Sequence, residues 1–368
     1  MATRWMAYVG SRTTRERNAR GDGISVFAVD AGTGQLTLEQ VVGDLVNPSY
    51  QVLNQRGDRL YTVHGDQTEV SVLAVDAATG HLTRLQTISC GGRNPVHLAL
   101  SPGETHLVVS NHLSGQLAVL PVLPDGTLAP VSRTVAFPGE PGPHRKEQPF
   151  SKPHFNPFTP DGRFVLVPDK GLDRVFSVDW NGGLPALAKP QSWYTTRENA
   201  GPRHLALHPH QPWVYVVNEL DNTVTACHVD TTTGALHPFQ IVPCLPDDYV
   251  GHSRAAGIQM APTGRHVYAS NRGHDSIATF RIDANTGRIA LQGTTASQGK
   301  TPRFFTLAPL APWMYVLNED SDAIECWQVD RDSGLPQPTG RAVSCGSPVC
   351  MVFLPLSPTE YGEGRSGS

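Results

Sequence analysis

Signatures of the commoner catalytic chemistries are missing from this chain. Its six cysteines, Cys90, Cys227, Cys244, Cys326, Cys345 and Cys350, show no C-x-x-C spacing, and its 15 histidines include no H-E-x-x-H. No G-x-S-x-G elbow is present, which leaves covalent catalysis through a serine without a motif. No apolar run approaches the roughly 20 residues of a membrane-spanning helix, so no membrane partner is expected. Met1 to Arg20 carries five arginines but no apolar core of a signal peptide; export is not expected and the cytoplasm is the default location. Positive charge is not in excess either. With 29 Lys and Arg against 33 Asp and Glu, the net charge of -4 gives no basic balance for nonspecific binding of nucleic acid. Nothing signals an oligomeric state.

What the chain has in quantity is turn residues, 35 Gly and 31 Pro, as in a loop-rich soluble β protein. They are ordered by a repeat. Pro48, Pro95, Pro153, Pro202, Pro302 and Pro348, with Arg254 opening a copy that lacks the proline, stand 46 to 58 residues apart. Each copy then gives an apolar stretch, a turn, a β-rich stretch ending in Asn or Ser, and a third stretch. Trp213 to Asn218, His266 to Asn271 and Trp313 to Asn318 hold one position in three successive copies and are too short and too β-branched for helices. The turns at Asp30 to Leu36, Asp76 to Leu82, Asp230 to Leu236, Asp283 to Ile289 and Asp330 to Leu335 place Thr-Gly or Ser-Gly before an apolar residue, as a tight hairpin requires.

Seven copies of this length predict an all-β fold, a seven-bladed β-propeller of four-stranded antiparallel blades. The chain begins with a middle-of-copy strand, Met6 to Gly10, and finishes with a start-of-copy strand, Pro348 to Phe353. Pairing them in one blade closes the ring and removes two sheet edges. One domain over 1–356 and a polar C-terminal tail over 357–368 follow. A ring of this size does not need disulfides, and buried thiols are expected.

The first two strands of a blade run antiparallel, so residues before the first and after the second gather at one mouth of the channel. Lys152, His154, Arg203, His204, Arg254 and Arg303 precede first strands; Asp169, Lys170, Glu219, Arg272 and Glu319 follow second strands. Taken singly, each is equally well a solvated loop residue or a structural ion pair. Arg203 and Glu219 are 16 residues apart, as are Arg303 and Glu319, a spacing that lets each pair meet across a hairpin.

The segments Gly201-Pro202-Arg203-His204-Leu205-Ala206-Leu207-His208-Pro209, Asn218-Glu219-Leu220, Ser270-Asn271-Arg272 and Pro160 to Asp169 resemble signature blocks of the seven-bladed propeller lactonase family, over about Met6 to Phe353. That family includes propeller-type 6-phosphogluconolactonases and 3-carboxy-cis,cis-muconate lactonising enzymes. The resemblance implies catalytic residues His154, Arg203, Glu219 and Arg272, with Lys170, Arg303 and Lys152 as further contacts for a substrate anion. Lys152 stands where relatives often carry the first His of a His-x-His pair, which bears on substrate preference. The implied reaction is hydrolysis of an anionic sugar lactone, 6-phosphogluconolactone to 6-phosphogluconate first. His154 is the expected acid/base, since a free imidazole titrates near neutrality, with Glu219 the other candidate. The two arginines would hold the anion or the oxyanion.

No cofactor and no metal is expected. His204 and His208 lie too far apart on an extended segment to share an ion, and the arginines beside Asn218, Glu219, Asn271, Asn318 and Glu319 oppose a calcium site. A cycloisomerase forming a lactone from a muconate would use the same groups. A non-catalytic interaction platform would instead show an apolar patch, for which Trp180, Trp193 and Tyr194, placed in an outer connection, are candidates. The insertion from Gly139 to Ser151 is expected beside His154, with Arg145 and Lys146 as possible anion contacts.

Overall fold

A computed structural model of the chain describes residues 4–180, 190–309 and 312–356. The tail expected over 357–368 lies outside the described residues. Among those described, seven antiparallel sheets form the ring, six of them built from the channel outward in chain order and the seventh with the last strand of the chain innermost. Blade 1 comprises residues 4–42 with 348–356, and blades 2 to 7 follow as 48–89, 95–136, 153–195, 202–243, 254–296 and 302–344. Arg4–Ser11 pairs antiparallel with Pro348–Leu356, Val9 opposite Met351, so the two chain ends close the ring. All six cysteines are buried and free. No helix among the described residues is long and apolar enough to cross a membrane.

The hydrophobic cores lie between neighbouring blades. Ala206, Tyr215 and Val217 of blade 5, for example, pack with Ala255, Ile258 and Val267 of blade 6. A polar latch repeats across these interfaces. The second-strand tyrosines Tyr8, Tyr61, Tyr215, Tyr268 and Tyr315 donate hydrogen bonds at 2.7 to 2.9 Å to the carbonyls of Gly80, Gly126, Gly287, Gly334 and Gly34, each in an outer turn of the next blade. These turns bring the glycine against the neighbour: at Gly34, where φ is +71°, a Cβ would lie 2.7 Å from the Trp313 ring. Tyr215→Phe leaves the Gly287 carbonyl buried without its donor, and an expected loss of about 1 to 2 kcal/mol follows. Urea unfolding checks this as a lower midpoint at unchanged slope. Tyr249→Phe, whose hydroxyl bonds the His252 carbonyl at an exposed site, is the near-silent control.

Blade 4 departs from the four-stranded expectation. Its ladder holds three strands, Phe164–Asp169, Arg174–Asp179 and Ser192–Thr195, and its innermost segment makes only the bridges Pro153 to Asp169 and Phe158 to Val165. Pro153 and Pro157 have no N–H to give a ladder. Asn156 is drawn sideways instead, accepting from His97 Nδ1 and Ser110 Oγ at 2.7 Å and donating to the Val108 carbonyl at 3.0 Å, all in blade 3. His154 therefore sits in the one innermost segment that is not a regular strand.

The aromatic patch of the platform reading is not formed by its three candidates. Trp193 and Tyr194 lie in the outermost strand of blade 4, not in a connection. Trp180 and Tyr194 are buried, and the half-exposed Trp193 has the Arg174 guanidinium over its ring at 5.6 Å.

Candidate functional site

The innermost strands share a local device. In blades 2, 3, 5, 6 and 7 the pairing register slips just after the strand starts, between Pro48 and Tyr50, Pro95 and His97, Pro202 and His204, Ala255 and Ile258, and Pro302 and Phe304. A bulge leaves one residue unpaired and re-aims its side chain. Ser49, Val96, Arg203, Arg303 and, where the register slips at Gly10 and Ser11, Val349 accordingly line one small cavity in the channel, each next after its proline, and His154, next after Pro153 in the irregular segment of blade 4, joins them. One residue further along, Tyr50, His97, Phe155 and His204 pack ring to ring with centroids 3.9 to 4.4 Å apart in sequence, and Phe304 meets Tyr50 at 6.1 Å. These rings block the channel beneath the mouth.

Above that floor the charged side chains converge on Glu219. The buried carboxylate lies 3.0 Å from Arg203 Nε, 3.3 Å from Lys170 Nζ, 3.3 Å from Arg272 Nη2 and 3.7 Å from Arg254 Nη1. Burial alone would raise its pKa; Lys170, Arg272, Arg203 and Arg303 overcome that and hold it well below the usual carboxylate range. Arg203 is also buried and donates through Nη1 to the Ala256 carbonyl at 2.7 Å, while its Nε, though close to Glu219, is not aligned to donate to it. Arg272 Nη2 donates to the Ala255 carbonyl at 3.1 Å. Arg303 and Glu319 approach to 3.8 Å, so both 16-residue pairs meet, the second more loosely.

A second carboxylate comes from the insertion. Glu147 binds Lys170 Nζ at 3.0 Å and Arg254 Nη1 at 2.8 Å. Burial raises its pKa, but the Arg254 hydrogen bond and Lys170 bring it down to about 2. Gln148 fixes the segment by donating to the Lys170 carbonyl at 2.9 Å and Asp173 Oδ1 at 2.8 Å. Arg145 and Lys146, the insertion's expected anion contacts, are exposed. Lys152 is buried, its ammonium 5.3 Å from the Phe150 ring centroid, with no carboxylate within 4 Å among the described residues. Burial and then Lys170 lower its pKa. Five cations, Lys152, Lys170, Arg203, Arg254 and Arg272, thus face two carboxylates.

His154 is buried between His112 and His204, with ring centroids 5.0 and 5.2 Å away, and its Nδ1 has no partner. Desolvation, then Arg203, push its pKa well below 6.5. The expected titration near neutrality is corrected on that ground: the imidazole is neutral. His112, absent from the sequence reading, bonds the Pro153 carbonyl through Nδ1 at 3.3 Å and is brought to about 3 by burial and by Lys170 and Lys152. Arg254 precedes a first strand and was visible as an ionisable group; His112 directly follows the second strand of blade 3, the place that Glu219 holds in blade 5, so the repeat signals it, whereas Glu147 carried no periodic signal.

Among the described residues no group of three or more His, Cys, Asp or Glu is arranged to hold a metal ion. The asparagines that end second strands serve the loops instead: Asn271 Nδ2 donates to the Cys244 carbonyl and Asn318 Nδ2 to that of Ser297, at 3.0 and 2.9 Å. A wider cleft of about 620 Å³, lined by Thr159, His208 and Trp213 among others, lies at the opposite end between blades 4 and 5. Charge, not volume, marks the mouth with Glu219.

Known proteins share this architecture. The family model described as "Lactonase, 7-bladed beta-propeller" matches residues 6–353. A 6-phosphogluconolactonase of Bacillus subtilis is 32% identical over 96% of this chain and 99% of its own, and one of Formosa agariphila is 28% identical over 90% and 95%. The solved periplasmic gluconolactonase of Pseudomonas aeruginosa superposes with a TM-score of 0.86 at 25% identity, covering 96% of this chain and all of that one.

Proposed function

This chain belongs to the seven-bladed β-propeller lactonase family, and on that premise we propose that it hydrolyses an anionic sugar lactone, 6-phosphogluconolactone to 6-phosphogluconate first, in the cytoplasm. The observation that carries the reading is the excess of cations around Glu219 and Glu147 in a mouth floored by aromatic rings. Such a site binds a phosphate or carboxylate strongly and selects little else. Relatives named for lactones of phosphogluconate and gluconate support the substrate class.

Roles follow from the charge states. Lys170, Arg254, Arg272 and Lys152 hold the substrate's anionic group. Arg203 steadies the oxyanion that forms when water attacks the lactone carbonyl. Neutral His154 takes the proton of that water and returns it to the departing ring oxygen. Glu219 stays ionised and fixes Arg203 and Arg272. Because burial and Arg203 depress His154, kcat/KM corrected for spontaneous hydrolysis should be flat from pH 6 to 8, with its acid limb well below 6.5. A limb near 6.5 would assign the acid/base step to a more exposed group.

The deciding experiment is hydrolysis of freshly generated 6-phosphogluconolactone by wild type and His154→Ala, with EDTA present. Saturable, EDTA-resistant activity lost in the variant is expected. No activity above background would move the reading to muconates and non-phosphorylated lactones.

A further inference from the structure

Beneath the Glu219 cluster lies a cavity of about 20 Å³ lined by Arg12, Ser49, Tyr50, Val96, His154, Arg203, His204, Arg303, Phe304 and Val349. Its size suits one particle as large as a water molecule. Four of the lining residues carry a buried polar atom with no partner in the protein: Arg12 Nε, Ser49 Oγ, His154 Nδ1 and Arg203 Nε. Arg12 and Arg203 are each 3% exposed. Native proteins rarely leave so many buried polar atoms unmet in one place.

The carboxylates near this cavity are committed elsewhere. Asp66 reaches Arg12 only at 3.4 Å and also binds Arg17 and Asn47. Glu219 lies 3.0 Å from Arg203 Nε without that N–H being aligned to it and is shared with Lys170, Arg254 and Arg272, and Glu319 stands 3.8 Å from Arg303. The like charges are felt: burial and then Arg303 lower the Arg12 pKa to about 10. Space for Arg12 is built in at Gly65, where a Cβ would lie 2.4 Å from Arg12 Nη1 and 2.7 Å from Ser49 Oγ.

We propose that this cavity is a binding site for a single small anion, a chloride-sized halide, held by Arg12, Arg203, Arg303 and Ser49 at the centre of the ring. Arg12 Nε and Arg203 Nε are N–H groups that only donate and the Ser49 hydroxyl can donate beside them, and a halide, which only accepts, meets all three while neutralising charge that a water would leave in place. Phosphate and carboxylate groups are too large for the space. Val96, Val349, Phe304 and Tyr50 complete the lining and favour a weakly hydrated ion, chloride or bromide over fluoride. The halide separates three guanidiniums and fixes Arg203 from below, as Glu219 does from above. The site does not depend on which lactone the mouth accepts.

Crystals of the full chain soaked in bromide should show an anomalous peak within about 3.5 Å of a guanidinium nitrogen or Ser49 Oγ. At constant ionic strength, replacing fluoride by chloride or bromide should raise the Tm saturably. Ser49→Ala, which removes one hydroxyl and no packing, should weaken the half-saturating bromide concentration about five-fold. Arg303→Gln, at a partly exposed position, should weaken it more than ten-fold. Water in the cavity after the bromide soak, or a Tm indifferent to halide identity, would overturn the proposal.

Discussion

Replacing Glu219 by Gln is expected to destabilise the protein by about 3 to 5 kcal/mol and to lower kcat by about a thousand-fold or more. The amide keeps the volume and removes one negative charge from the point where Lys170, Arg203, Arg272 and Arg254 meet within 3.7 Å. Four cations would then repel one another around a neutral group, inside a site too dry to screen them. Arg203 loses its anchor on the mouth side, and a donor that must meet the oxyanion within a few tenths of an ångström is no longer held there. Urea unfolding reads the stability; steady-state hydrolysis reads the rate.

The two effects separate with an added anion. Inorganic phosphate should stabilise Glu219→Gln more than wild type, because it restores the missing charge in a site with a larger excess of cations, while kcat stays low. If the variant instead unfolded at the wild-type midpoint and turned over normally, the cluster would be an ordinary surface network worth under about 1 kcal/mol.

Much of this was legible because the repeat dictates geometry. Proline spacing and the Asp-x-x-Thr-Gly turns specified seven copies, and antiparallel pairing then put Arg203, Glu219, Lys170 and Arg272 at one mouth. The 16-residue spacing of Arg203 and Glu219 anticipated their contact, found at 3.0 Å. A further signal went unused: the residue after each proline. Ser49, Val96, His154, Arg203, Arg303 and Val349 occupy that place, and a bulge turns all but His154, which lies in the irregular segment of blade 4, to the channel.

What stayed hidden was set by contacts between blades and by an insertion outside the repeat. Glu147 lies in an insertion whose path is set by Gln148 and Asp173 rather than by a ladder. Arg12 and Gly65 each follow a second strand in neighbouring blades, so the repeat places both, but that the glycine leaves room for the Arg12 guanidinium is a tertiary fit between blades. The charge state of His154 depended on burial and on Arg203, and neither is visible in residue type. Blade 4 lost its inner strand because Asn156 bonds across to blade 3, a tertiary choice that the strand-like sequence conceals.

Those buried imidazoles make the fold acid-labile well above the carboxylate range. His97 and His112 are neutral in the folded chain with pKa values of about 3, and desolvation depresses His154 and His204 likewise. Once unfolded, each titrates near 6.5. Between the two values the unfolded chain binds more protons, so stability is complete above about pH 6.5 and falls as the pH drops below it. At pH 5 His97 and His112 each forfeit about 2 kcal/mol, a large share of the roughly 5 to 15 kcal/mol that holds a domain folded. Asp169 acts in the opposite sense. Burial raises it to about 6 despite the hydrogen bonds it accepts from Ser151 and three backbone amides, so protonation relieves part of its cost as the pH falls from 6 toward 3.8. Glu147 and Glu219, both depressed, contribute stability that is lost only below about pH 4.5. The net expectation is a stability that declines from pH 6.5 to 5 with a slope of about three protons near pH 5.5. Urea midpoints at fixed ionic strength measure that slope, and His97→Asn should reduce it by about one proton. A slope below about one proton would mean that these histidines protonate within the folded ring, and His154 would regain a near-neutral titration as the group that limits catalysis.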